Sequence, residues 1–464
     1  MRFSSPAQLK AFVKGKRVAV IGLGISNLPA AEYFLAAGAL VSARDRRDPA
    51  SLEADGIPQR LKGAQIVGGD GYLDGLEGFD LILHSPGIRR DLPALQKAAV
   101  AGALVTGEMD LFLQMFHGRT VAVTGSSGKT TTTSLIRELL RAQGIPCVCG
   151  GNIGTPLMTQ VESLSQDTVA VLELSSFQLF ALETSPDVAV ITNISPNHLD
   201  WHKDMAEYAE SKANIFLHGG KEHLLCLNAD DPYSRDYAAR APGRVRWFSD
   251  VNRPENGVFL ENGTFFEAEN GVARPFMERR RLALPGKYNA QNFMAAFCAV
   301  GELVQPETML RVAEEFQGVE HRCETVRCLR QVRYVNSSID SSPARTLATV
   351  SLFPQTPLVM ILGGKPKGIP FDELAKPILK QARGVVLLGP MGPALRQLLE
   401  SAPCEGTRPP IVQTDTMEQA VAAAAKMARP GDAVLLSPAF TSFDLFRNFE
   451  ERGHAFKNAV MALQ

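Results

Sequence analysis

The chain has 464 residues, more than a single hydrophobic core usually organises, so two or three domains are expected. An apolar fraction of 45% beside 21% charged residues describes a globular protein. Lys plus Arg (48) balance Asp plus Glu (49), which excludes a nucleic-acid or anionic-membrane surface as the main business.

The opening stretch MRFSSPAQLKAFVKGKRVAVIG carries no long apolar run ahead of the first strand. No later segment approaches the roughly 20 apolar residues that span a bilayer. The seven cysteines, at 147, 149, 226, 298, 323, 328 and 404, offer only one C-x-C and no histidine pair at ligand spacing. Reduced thiols in a cytoplasmic enzyme are therefore expected.

Short apolar runs that end in Gly, Ser or Asn and lead into helical patterns recur along the chain, the mark of parallel sheets covered by helices. The first group holds RVAVIGLG (17–24), ALVSARD (39–45) and FDLILHSPG (79–87). VIGLGISNLPAAEYF follows a strand and opens a helix, so its glycines bring backbone N–H groups close to a phosphate. Asp45 lies 23 residues after Gly22, near where a ribose-binding acid would sit, which suggests a dinucleotide. Against that, Asn27 stands at the third position of G-x-G-x-x-G, and Arg46 and Arg47 suit a phosphate as well as a ribose.

GEMDLFLQMF then reads as a helical connection to the second group: TVAVTGSSGKT (120–130), VAVLELSS (169–176), VAVITNIS (188–195) and EHLLCLNADD (222–231). TGSSGKT resembles a phosphate loop shortened by one glycine, because Val123 stands where G-x-x-x-x-G-K-S/T has its first. Gly125 and Gly128 let N–H groups point inward, Lys129 can neutralise terminal phosphates, and the Thr130 hydroxyl can ligate Mg²⁺. Glu173 interrupts a run apolar enough to be buried, which is costly unless the carboxylate pairs or binds a metal. His198 and Asp200 follow a strand of the same type. Catalytic groups of open parallel sheets gather at strand carboxyl ends, so these residues share one rim with the loop. His202 reads as a surface histidine. Residues 245–285 read as a short antiparallel meander with a hairpin turn at Asn262–Gly263.

A charged stretch, VRCLRQVRYVNSS after GVEHRCE, leads to the third group: PLVMILGG (357–364), GVVLLGP (384–390) and DAVLLSPA (432–439). Boundaries fall near 106 and 319. The fold class is α/β in three consecutive domains. A Rossmann-like domain spans 1–106, and a central P-loop parallel-sheet domain with a small antiparallel addition spans 107–318. A second Rossmann-like domain spans 319–464.

TGSSGKTT, GGNIGTP (150–156), ELSSFQL (173–179), NISPNHLDWH (193–202) and YAESKANIF (208–216) resemble the Mur ligase family. LPGKYNAQNFMAA (284–296), GVEHRCE (318–324) and SPAFTSFDLFRNFEERG (437–453) continue the pattern in the family's order over nearly the whole chain. The resemblance implies an ATP-dependent amide ligase of cytoplasmic peptidoglycan synthesis, a monomer acting on small molecules and on neither nucleic acid nor membrane. It would add D-glutamate to UDP-N-acetylmuramoyl-L-alanine through an acyl phosphate and a tetrahedral intermediate. Family members use the shortened loop, so the missing glycine is expected.

Carried over by motif, Gly125, Ser126, Ser127, Gly128, Lys129, Thr130 and Thr131 would hold ATP, with Asn289 and Asn292 at the adenine and Arg322 reaching the nucleotide. Two Mg²⁺ ions would use Thr130, Glu173, His198 and Lys212. Lys212 matches the lysine that the family carbamylates with CO₂. Lys129, Glu173, His198 and Lys212 would form the catalytic set. Ile25, Ser26, Arg46, Arg47, Ser85, Pro86, Gly87 and Asn152 would grip the UDP substrate. Ser341, Lys367, Ser442 and Phe449 would bind the incoming glutamate, with Arg452 one helical turn beyond.

VNSSIDSSPART (335–346) departs from the pattern. Ser337 replaces a family aspartate, Ile339 stands where some members have lysine, and Asp340 adds a carboxylate expected to face solvent. An extra anion there would disfavour an acidic substrate, which keeps open a ligase for another amino acid, such as L-glutamate. An NAD-dependent dehydrogenase built on GLGISN leaves the second and third groups without a role. A non-catalytic sensor of the UDP substrate leaves Lys129, Glu173, His198 and Lys212 without one.

Overall fold

The computed structural model describes residues 3–199, 201–284, 286–366, 370–404 and 406–464. The chain divides into two compact units, Met1–Phe316 and Gln317–Gln464.

The first unit holds two sheets. Strands β1 (Arg17–Ile21), β2 (Leu40–Asp45), β3 (Gln65–Gly68), β4 (Leu81–His84) and β5 (Leu104–Thr106) form a parallel sheet in the order β3-β2-β1-β4-β5. The order reverses between β1 and β4, where open α/β sheets leave a crevice. The GLGIS turn after β1 and the SPG turn after β4 both open there, and Ile21 is registered beside His84. β3 and β5 are short and weakly apolar, and sequence periodicity does not separate them from loops.

The second sheet has nine strands: β6 (Thr120–Thr124), β7 (Cys147–Gly151), β8 (Val169–Glu173), β9 (Val188–Ile191), β10 (Leu224–Asn228), β11 (Arg244–Ser249), β12 (Gly257–Glu261), β13 (Thr264–Glu269) and β14 (Val272–Glu278). Their order is β14-β13-β12-β11-β10-β9-β6-β8-β7. Only β12–β13 and β13–β14 pair antiparallel, so the expected meander is narrower than 245–285, and β11 joins β12 in parallel. Asn262 and Gly263 have φ of 46° and 76° and close the expected hairpin. Asn270 and Gly271, at 50° and 79°, close a second hairpin, between β13 and β14. Positive φ at both central residues is the turn whose twist matches paired strands.

Helices Lys129–Ala142 and Lys287–Val300 cover one face of this sheet, burying Ile136, Leu139, Phe293 and Phe297 against Val121 and Val171. The other face shares a core with the first sheet. Phe34, Leu111, Phe112 and Leu172 belong to one buried cluster, with the expected connecting helix, Glu108–Met115, between the sheets. That continuous core makes the two sheets a single unit.

The second unit carries β15 (Glu324–Leu329), β16 (Val332–Asn336), β17 (Leu358–Gly363), β18 (Ala382–Leu388), β19 (Ile411–Thr414) and β20 (Ala433–Ala439), in the order β15-β16-β20-β17-β18-β19. All pair in parallel except β15–β16. The charged stretch read as a connection is therefore that hairpin, turned by Arg330 and Gln331 at φ 52° and 62° without any glycine. Its alternation is masked by arginines, which keep their heads in water while their stems pack.

Candidate active site

The phosphate loop joins β6 to the helix Lys129–Ala142, as its mechanism requires. Val123 is a fully buried strand residue, so the loop proper starts at Gly125. Gly125 has φ 147°, and a Cβ there would lie 1.9 Å from Thr192 Oγ1. Gly128 has φ 84°, and its Cβ would lie 2.3 Å from Asn292 Oδ1. Both glycines are demanded twice, by backbone and by contact. Asn292 therefore sits directly on the loop, accepting from Thr132 Oγ1 at 3.4 Å. Asn289 lies one turn earlier on the same helix and is half-buried.

Ser126 Oγ donates to Ser195 O, accepts from Ser195 N and meets the Tyr208 hydroxyl, all at 2.8 Å. Asn193 bonds Ser127 from both sides, accepting from its N–H and donating to its carbonyl, each at 3.0 Å. Lys129 Nζ folds back to the Gly125 and Ser126 carbonyls at 2.8 and 3.3 Å. Thr130 is buried at the first turn of the helix, and Thr131 is half-buried beside it.

Lys212, on the helix Met205–Leu217, is only 1% exposed, so it is not the surface residue a helical lysine usually is. Its ammonium donates to Thr124 Oγ1 at 3.2 Å and to Gly125 O at 3.1 Å, and sits 4.8 Å from the Tyr208 ring centroid. Burial first, and the nearby charge of Lys129 second, push its pKa well below the ordinary lysine value, while Glu173 pulls the other way. Glu173 lies beside Val123 in the β6–β8 register and is 1% exposed. Its Oε1 accepts from Asn152 Nδ2 at 2.7 Å, and its Oε2 is buried without a hydrogen-bond partner. A buried, unpaired carboxylate oxygen close to the loop fits a cation.

Immediately after Glu173 the chain turns into a short helix, Ser176–Leu179, fixed by a reciprocal cap between Ser175 and Gln178. That turn presents Phe177, whose ring lies 4.8 Å from that of His198. His198 is exposed and held at φ 55°, a conformation that costs energy outside glycine and gathers at functional sites. Asp200 lies outside the described residues. His202 corrects the surface expectation: it is 2% exposed, with Nε2 3.0 Å from Ser176 Oγ and its ring stacked on Phe177.

In the first sheet, Asp45 accepts from Leu23 N at 2.7 Å and from the Arg47 guanidinium at 3.0 Å. Burial opposes its ionisation, yet the bonds from Arg47 and Leu23 outweigh that and hold the carboxyl below its usual range. Arg47 is further committed to Asp55 and to Leu23 O, leaving Arg46 as the exposed arginine of the pair. Ile25 is exposed on the glycine turn. Ser85 packs on Gly22, Gly87 is exposed, and Ser26 and Pro86 line a cavity with Asn27, His84, Phe177 and Gln178. In that cavity His84 Nε2 and Asn27 Oδ1 are buried without a partner. Asn152 donates its backbone N–H to Glu173 O and its side-chain amide to Glu173 Oε1, so it stands beside the candidate cation site.

In the second unit, the ends of β16 and β20 and the start of the helix Phe449–Met461 come together. Ser338 Oγ donates to Phe449 O at 2.7 Å, and the buried Arg452 donates to Ser338 and to Phe440 O at 2.8–3.0 Å. Burial lowers the Arg452 pKa to about 10. These bonds bring the segments of Ser341, Ser442 and Phe449 to one rim. Arg322 sits between His321 and Cys323, both at positive φ (64° and 46°). Lys367 lies outside the described residues. Asp340 does not face solvent. It is 5% exposed and accepts from Ser437 Oγ at 2.8 Å, and burial raises its pKa while the Ser337, Thr349 and Ser437 hydroxyls pull it back. Ser337 is fully buried and accepts from Cys323 N at 3.2 Å.

Sequence reasoning missed Asn193, Tyr208 and Thr192, which shape the loop from neighbouring strands and helices. Asn193 and Tyr208 lie inside motif blocks but carry no signal by residue type.

Three family models match in order: Mur ligase MurD-like N-terminal domain over residues 16–107, Mur ligase middle domain over 123–300, and Mur ligase glutamate ligase domain over 321–440. The chain is similar to the UDP-N-acetylmuramoylalanine–D-glutamate ligase of Ruminiclostridium cellulolyticum, 41% identical over 98% of this chain and 99% of that one. It is likewise similar to the ligase of that name from Clostridium botulinum (Loch Maree), 40% identical over 99% of this chain and all of that one. Among solved structures, UDP-N-acetylmuramate-alanine ligase MurC from Thermotoga maritima matches the fold with a TM-score of 0.52 at 18% identity, over 96% of this chain and 99% of that one. With the loop geometry, the family models and the full-length relatives in agreement, the chain belongs to the Mur ligase family.

Proposed function

We propose that this protein ligates D-glutamate to UDP-N-acetylmuramoyl-L-alanine with ATP, as a cytoplasmic step of peptidoglycan synthesis. The observation that carries the reading is the burial of Lys212 on the phosphate loop beside Glu173. A depressed lysine pKa supplies the neutral amine that reacts with CO₂, and the carbamate so formed exchanges a cation for an anion next to the nucleotide. Support for the amino acid comes from the names of the full-length relatives.

In this reading the loop from Gly125 to Thr131 holds the ATP phosphates, with Lys129 at the terminal ones and Asn289 and Asn292 at the base. Thr130, Glu173, His198 and carbamylated Lys212 hold two Mg²⁺ ions, which would supply charge neutralisation for phosphoryl transfer when bound. Arg46, Ser85, Pro86 and Gly87, with Ile25 and Ser26, grip the UDP substrate. Arg47 and Asn152 join that grip while also holding Asp45 and Glu173. Ser341, Lys367, Ser442 and Phe449 receive the amino acid, and Arg322 contributes to the nucleotide site. Domain breaks near 106 and 319 separate these tasks. Phosphorylation turns the substrate carboxylate into an electrophile, the amine attacks, and phosphate leaves the tetrahedral intermediate.

The burial of Asp340 argues against a different amino acid, because a carboxylate 5% exposed and bonded by the Ser437 hydroxyl is not an open anion facing the substrate. The test is phosphate release from ATP in the presence of Mg²⁺, bicarbonate and UDP-N-acetylmuramoyl-L-alanine, with D-glutamate or L-glutamate. Release confined to D-glutamate, with a product heavier by one glutamyl residue, is expected. Release with L-glutamate alone would reassign the amino acid, and no release with any would overturn the ligase.

A further inference from the structure

Arg89 lies two residues beyond the SPG turn and outside every motif considered above. Its guanidinium is 17% exposed, and all five of its N–H groups have acceptors. Nε and one terminal nitrogen bond Asp91 at 2.9 and 2.7 Å. The two terminal nitrogens grip Glu207 at 2.9 and 2.8 Å, and one of them also donates to the Trp201 carbonyl at 2.9 Å. The guanidinium lies 4.7 and 4.8 Å from the ring centroids of Phe180 and Trp201. The Trp201 indole N–H in turn donates to Gly87 O at 3.3 Å.

Each partner leads to a different part of the site. Gly87 belongs to the SPG turn. Trp201 shares the loop of His198, and both rings pack on Phe177 at 4.8 Å. Glu207 sits in the first turn of the helix that carries Lys212, and Phe180 follows the turn after Glu173. Arg89 thus bonds Glu207, on the helix of Lys212, and Trp201, whose indole bonds the SPG turn and whose ring packs on Phe177 beside His198. A bidentate, doubly stacked guanidinium fixes direction as well as distance, which lysine cannot reproduce.

We propose that Arg89 is a positioning residue that sets the UDP-substrate turn in register with the cation-binding side chains, so that substrate affinity and Mg²⁺ affinity depend on the same contact. This rests on the ligase reading above. Residues that orient ligands from behind typically change affinity or activity by about 10–100-fold when removed.

The test uses the full-length enzyme with Arg89→Lys and Arg89→Met, measuring KM for UDP-N-acetylmuramoyl-L-alanine, KM for ATP, the Mg²⁺ concentration for half-maximal rate, and Tm. Both variants are expected to raise the UDP-substrate KM and the Mg²⁺ requirement together by about 10-fold. KM for ATP should stay within about twofold, because Arg89 bonds no residue of the phosphate loop. Arg89→Lys, which keeps the charge, should not restore either parameter. A fall in Tm with both parameters unchanged, or a change in one without the other, would overturn the proposal. If a variant is unfolded, Trp201→Phe, which removes the bond to Gly87 O while keeping an aromatic ring beside Phe177 and Arg89, must shift the same two parameters in the same direction. A wild-type enzyme that does not turn over the UDP substrate would instead count against the ligase reading itself.

Discussion

Lys212 decides the chemistry at the scale of a single residue. In water an ammonium has no reason to leave its solvation shell, yet here it is buried on Thr124 and Gly125. Its folded pKa lies well below the unfolded value, so in the window between the two the unfolded chain binds more protons and stability rises with pH. Replacing it by methionine removes that penalty while keeping the stem. Gly125 O retains its bond from Lys129, and Thr124 Oγ1 still donates to Leu174 O, so no buried polar group is stranded. In CO₂-free buffer at neutral pH, Lys212→Met should therefore raise stability by about 1–2 kcal/mol and flatten its rise with pH, while ligase activity is lost. Thermal melts from pH 6 to 10 check the sign. A Tm that falls in the variant, or a slope that stays the same, would show that folding does not lower the Lys212 pKa.

The antiparallel addition to the second sheet depends, as an element, on two Asn-Gly turns. Gly263 and Gly271 have open space where a Cβ would stand, so the cost of alanine there is purely that of the left-handed backbone. Gly263→Ala and Gly271→Ala should each destabilise the first unit by about 1–2 kcal/mol, read from chemical denaturation. ATP binding should be unaffected, since both turns lie at β13, far along the sheet order from β6. The β15–β16 hairpin manages the same reversal with Arg330 and Gln331, so the Asn-Gly signal is sufficient for such a turn but not necessary.

At the scale of the molecule, each buried hydrophobic cluster among the described residues stays within one unit. Two clusters lie between Cys323 and Leu463, and the other three lie before residue 317. A core of this kind supports independent folding. A fragment of residues 317–464 should show a single cooperative thermal transition by circular dichroism, whereas a fragment ending near residue 106 should not. The latter would lose Leu111, Phe112 and Leu172 from the buried cluster to which Phe34 belongs. Cooperative melting of the short fragment, or none in the long one, would contradict this division.

Much of the protein is local and therefore legible in the linear chain. The strand–turn–helix around TGSSGKT, the alternation of short apolar runs with helices, and the Asn262–Gly263 turn each follow from neighbours within a few residues. The shortened loop and the order of the blocks identify the family for the same reason. Burial and partnership are not local. Asp340 and His202 read as exposed polar residues, but each is buried and hydrogen-bonded by a serine distant in sequence, Ser437 and Ser176. Asn152 reads as a substrate contact, and only the parallel pairing of β7 with β8 shows that it also stands against Glu173. Arg89 carries no motif, and its role exists only because a turn, a loop and a helix meet at one guanidinium. A side chain's type is written in the sequence, whereas the dielectric around it and the charge opposite it are set by residues that tertiary packing alone makes neighbours.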